Sequence, residues 1–160
     1  MKKITFILLA LISGTVFAQN SANANAAVNA KIVEPITITL SSGSLDFGTF
    51  ASPESDAAVV LTPAGQRTFP ENSEMLIGAY LDVSVPEFTV SRDNNVTTQY
   101  SIGLAVTDQP DGVSVSDLKH SLEGSAYSAE SFTVGGTLNV PAGQTAGTYE
   151  GTINVTVTYE

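Results

Sequence analysis

At the C-terminal end of the chain, apolar and polar side chains alternate without a break. Tyr149, Gly151, Ile153, Val155, Val157 and Tyr159 share one parity, and Thr148, Glu150, Thr152, Asn154, Thr156 and Thr158 the other. Successive side chains of a strand point to opposite sides, so the pattern predicts a strand over 149–159 with one buried face. Tyr100, Ile102, Leu104 and Val106 repeat the alternation, and the stretch from Asp108 to Gly112 reads as the turn that ends it.

The same reading predicts strands at Ile36–Leu40, Val59–Thr62, Phe132–Val134 and Thr137–Val140, with a short one at Leu45 and Phe47. A longer strand region covers Leu76–Val85 and Phe88–Val90, broken at Pro86, which has no N–H to give to a central ladder. Gly135-Gly136 reads as a turn or bulge, and Pro141–Gln144 as the turn into the final strand. Ser114–Ser131 is ambiguous, because Val115, Leu118 and Leu122 fit a short helix as well as an irregular connection. About seven to nine short strands and almost no helix signal predict an all-β, immunoglobulin-like sandwich over 32–160, with a barrel as the alternative.

The N-terminal region follows other rules. Lys2 and Lys3 precede the uncharged run Ile4–Ile12, and Val16-Phe17-Ala18 sets small or tolerated residues before a cut at Gln19. The run is too short to cross about 30 Å of hydrocarbon, so residues 1–18 read as a secretory signal peptide and the mature chain as lacking a transmembrane anchor. In residues 19–31, Ala22, Ala24, Ala26, Val28 and Ala30 share a parity that continues to Ile32, while Asn23, Asn25, Asn29 and Lys31 hold the other. A polar leader is ordinarily a floppy terminus. This alternation instead suits a donor strand that adds to an exposed sheet edge of another molecule and fills a narrow groove with small side chains.

Composition narrows the chemistry. The 160 residues carry 16 acidic side chains against 6 basic ones, a net charge of −10, and losing Lys2 and Lys3 makes the balance more negative still. Binding through phosphates needs clustered Lys and Arg, so nucleic acid is not an expected partner. Without cysteine there is no disulfide, no lipid-bearing thiol, and no thiolate for catalysis, zinc or iron–sulfur binding. His120 is the single histidine and is expected on the surface. No hydrolase, dinucleotide or zinc-protease motif appears, so no enzyme activity and no cofactor or metal are expected. Asp108, Asp111 and Asp117 lack the spacing of a calcium loop and read as turn formers, and Phe47, Phe50, Phe69, Phe88, Phe132, Tyr100 and Tyr149 read as core aromatics.

Three sets of residues carry a resemblance: Ala30–Ile38; Leu45-Asp46-Phe47-Gly48-Thr49-Phe50; and Val134–Ala142 followed by Gly147–Thr152 and Val155–Tyr159. Together, across most of 28–160, they resemble a family of secreted bacterial domains of unknown function that is itself similar to chaperone-usher fimbrial subunits and to spore-coat protein U. In the fimbrial relatives the sandwich lacks its last strand and is completed by an N-terminal segment of the next subunit. The resemblance implies that Val155, Val157 and Tyr159 form the acceptor edge. It also implies as partners copies of this chain or related subunits, a periplasmic chaperone and an outer-membrane assembly protein. The disulfide of many such pilins has no counterpart here. The expected function is an exported structural subunit of a fimbria-like surface fibre. The alternative is a complete secreted or surface-associated binding module, open to carbohydrate, with the leader as a tether.

Overall fold

The computed structural model describes residues 21–70, 75, 82–93, 96, 99–122 and 130–160. The chain divides into two units, Met1–Lys31 and Ile32–Glu160. The signal peptide expected at 1–18 lies outside the described residues. In the first unit, residues 21–31 form no helix or strand and are exposed throughout.

The second unit is all β, with no α-helix among the described residues. Its strands are β1 (Thr37–Ser42), β2 (Ala57–Leu61), β3 (Arg67–Thr68), β4 (Glu87–Ser91), β5 (Tyr100–Asp108), β6 (Ser114–His120), β7 (Ser131–Val140) and β8 (Thr152–Tyr159). A six-stranded sheet runs β1-β4-β7-β2-β3 with β6 also on β7, and β5 pairs with β8 in a second sheet. Every pairing is antiparallel. Ile102, Leu104, Val155 and Val157 of the small sheet pack against Val90, Phe132 and Val134 of the large one, so the two sheets are the layers of a sandwich. Val59, Leu61 and Val134 are fully or almost fully buried, each contributing about 1.5–3 kcal/mol of apolar burial.

β7 organises the large sheet. Along one edge it pairs with β6; along the other, Ser131–Thr133 pairs with β4 and Gly136–Val140 with β2. The two stretches expected as separate strands are therefore one, and Gly135-Gly136 makes no turn. A Cβ on Gly135 would run into the carbonyl oxygen of Leu61 and come within 2.6 Å of the Pro63 nitrogen, so glycine serves here to let two backbones approach. The irregularity lies across the ladder instead. Ser116 pairs with Thr137 and Lys119 with Gly135, leaving Asp117 and Leu118 opposite Gly136 as a bulge, with Asp117 at φ 46°.

Other expectations need correction. Leu45 and Phe47 belong to no strand; Asp46 between them makes an isolated bridge to Ser84. The ambiguous segment from Ser114 is a strand as far as His120; residues 123–129 lie outside the described ones, as does the Leu76–Leu81 part of the predicted strand. The last strand begins at Thr152, not 149. His120 is buried rather than on the surface, its ring edge-on to Phe132 at 6.0 Å, because inward parity at the end of β6 turns it toward the core.

Candidate functional site

β1 pairs only with β4 and β8 only with β5 among the described residues, so each keeps an unpaired edge. Ile36 and Ile38 beside β4 share an apolar cluster with Val155 and Val157, and there the layers close on each other. Beyond Ile38 and before Ile153 they part, leaving a groove of about 1040 Å³. Its apolar lining comes from both layers: Leu40, Phe88, Leu138 and Val140 from the large sheet, Val106 and Ile153 from the small one. Leu40 has the same parity as half-buried Ile38 yet is 59% exposed.

One wall is the segment 45–50. Arg67 pins it, its Nη1 donating to the Phe47 carbonyl at 2.8 Å and to the Thr49 carbonyl at 3.2 Å while the guanidinium sits 5.2 Å from the Phe69 ring centroid. Gly48 bends the segment at φ 70°, and a Cβ there would meet Arg67 Nη1 at 2.7 Å. The other wall is 144–151. Gln144 Nε2 donates to the Tyr149 hydroxyl at 2.8 Å, and that hydroxyl donates to the Thr145 carbonyl. Ser52 Oγ donates to the Gln144 carbonyl at 2.7 Å, tying the two walls together.

The segment Thr148–Gly151 carries the alternation of the final strand but joins no ladder, because β5–β8 pairing stops at Asp108 and Thr152. A strand-patterned segment that belongs to no ladder among the described residues, beside an apolar trough, is a surface on which an extended peptide can pair.

The sequence-predicted site residues fall as follows. Ala22, Ala24, Ala26, Val28 and Ala30 are exposed, Val28 at 94%. Val155 and Val157 lie on the inner face of β8 opposite Leu104 and Ile102, and Tyr159 lies opposite Tyr100 with its hydroxyl buried and without a hydrogen-bond partner among the described residues. None of these three lines the groove; Ile153 does, with the segment before it. Leu40 and Phe88 were not singled out as site residues by sequence reasoning: Phe88 reads as a core aromatic and is indeed stacked on Phe132, and Leu40 carries ordinary core parity, with only its exposure setting it apart. Asp108 ends β5, Asp111 lies in the turn after it and Asp117 in the bulge; no group of three or more His, Asp or Glu is placed to hold a metal among the described residues. Nor is any described helix long and apolar enough to cross a membrane.

These features define an all-β antiparallel sandwich, open between its layers along one side. Residues 36–159 match the family described as Domain of unknown function (DUF4402), more than half of the chain, and the protein belongs to that family. No curated protein and no solved structure matches the chain.

Proposed function

We propose that this protein is an exported structural subunit of a fimbria-like surface fibre, in which residues 21–31 of one copy fill the groove of the next. The observation that carries the reading is the groove: core-parity side chains from both sheets, Leu40 foremost, line a trough flanked by the unpaired edges of β1 and β8. The exposed Ala22–Ala30 series supplies an occupant of matching chemistry, small and apolar on every second residue. An added strand satisfies backbone groups on both sides and buries apolar area that otherwise faces water. Contact between the leader of one copy and the groove of the next is head-to-tail, and where its rotation does not close a ring it propagates into a filament. In this reading the signal peptide delivers the chain to the exterior, a chaperone and an outer-membrane assembly protein handle it in transit, and the fold carries no catalytic step.

The test compares the intact mature protein with one lacking 19–31, by size-exclusion chromatography and electron microscopy. Oligomers or filaments that require 19–31 are expected. An intact protein that stays monomeric at high concentration and beside its secretion neighbours, unfolding no differently from the shortened one, overturns the reading in favour of a complete binding module.

A further inference from the structure

The groove differs in charge from the leader proposed to fill it. Four carboxylates, Asp46, Asp82, Asp108 and Glu150, line it; the cation at its wall, Arg67, is held on the Phe47 and Thr49 carbonyls and is not among the lining residues. Asp46 and Asp82 belong to the side of the Gly48 wall, where a Cβ on Gly48 would lie 3.0 Å from the Asp82 carbonyl oxygen. Asp108 and Glu150 belong to the side of the last strand, where Asp108 pairs with Thr152 at the end of the ladder. All four residues are exposed while Leu138, Val140 and Phe47 beneath them are buried, so the trough has an apolar floor and an anionic rim. Between Gln19 and Val33 the chain has one charged side chain, the cation Lys31.

We infer that the acidic rim selects the incoming strand by charge, admitting the second copy's leader through its Lys31 and excluding acidic strands. This rests on the fibre reading and adds to it a specificity-determining residue. Apolar alternation alone does not discriminate, because the edges of this strongly acidic protein also offer alternating strands. Carboxylates on both lips of a partly desolvated trough make an anionic strand costly to seat and a cationic one favourable. Exposed pairs are individually weak and screened by salt, so the rim acts on partner choice and encounter while the apolar floor holds the strand.

A fluorescent peptide of residues 21–33 titrated into the intact protein, diluted until it runs as a monomer so that no neighbour's leader occupies the groove, tests this. Affinity is expected to fall about five- to tenfold between 50 and 300 mM sodium chloride, and about tenfold or more when the peptide carries Lys31→Glu. The double variant Asp108→Lys/Glu150→Lys of the protein should restore binding of the Lys31→Glu peptide and weaken that of the natural one. A Val28→Asn peptide, which removes apolar contact without adding charge, separates the two ideas. If Val28→Asn abolishes binding while salt and Lys31→Glu leave it unchanged, the rim has no selective role and the fibre reading stands. If the natural peptide does not bind at any salt concentration, both fall.

Discussion

Leu40 of β1 stands directly opposite Phe88 of β4 in the ladder, and both line the groove, Leu40 with more than half of its surface exposed. A leucine already in water loses little when shortened. Leu40→Ser is therefore expected to change the stability of the isolated protein by no more than about 0.5 kcal/mol, whereas Leu61→Ala, in the closed core, costs about 2–5 kcal/mol. The same Leu40→Ser should weaken binding of the 21–33 peptide, since the apolar surface it removes is what an added strand would cover. Denaturant titration and peptide titration on one pair of variants check both halves.

Gly135→Ala should be among the most damaging substitutions in the chain. The added methyl meets backbone on the β2 side, at Leu61 and Pro63, and backbone cannot swing aside as a side chain can. A loss of about 1–3 kcal/mol or more is expected. At Gly136 the nearest atom is the end of the Leu118 side chain, at 3.0 Å, and the cost should be clearly smaller. Thermal unfolding of the two variants side by side measures the difference.

Burial pushes the Tyr100 hydroxyl above its ordinary value of 10.0, with Arg92 offsetting part of the rise. The folded protein thus keeps this proton at a pH where the unfolded chain gives it up. The resulting stability is fully present below about pH 10, and is lost as pH rises from there through the folded value. Tyr100→Phe should flatten the alkaline end of a stability profile between pH 8 and 11 and leave the neutral region without that slope. An unchanged alkaline slope would assign it to other groups.

Amide exchange should locate strand addition. Thr148–Gly151 lies outside every ladder in this structure, so its amides are expected to exchange quickly in the isolated protein and to slow when the 21–33 peptide binds. Mass-spectrometric exchange with the Val28→Asn peptide should show no such slowing.

Much of this fold is legible in the residues. β5 and β8 follow from strict alternation, and their register sets Ile102 opposite Val157 and Leu104 opposite Val155, as their shared inward parity requires. β6 is less legible because the bulge at Asp117 resets the period, so Val115, Leu118 and Leu122 fall at helical spacing. Gly135-Gly136 misleads for another reason: the same residue type marks a turn and a close approach, and only the neighbouring strand tells them apart. The candidate donor is visible in the Ala and Val parity of 22–30. The groove is not, because core parity states which way Leu40 points and never whether anything lies over it.

The arrangement around β7 bears on how this body would come apart. β2 and β4 both hold the same edge of β7 but are not paired with each other among the described residues, and the boundary between them falls near Gly135. The apolar clusters divide similarly, with Val59, Leu61, Leu138 and Val140 in one and Val90, Phe132 and Val134 in the other. This boundary is not a clean break, because β6 pairs with β7 on both sides of it, from Val134 to Asn139, and ties the two halves together. If the proposed fibre is put under tension, the part around β2 is expected to loosen first, with β6 as the strand that still holds it to the part around β4 and β8.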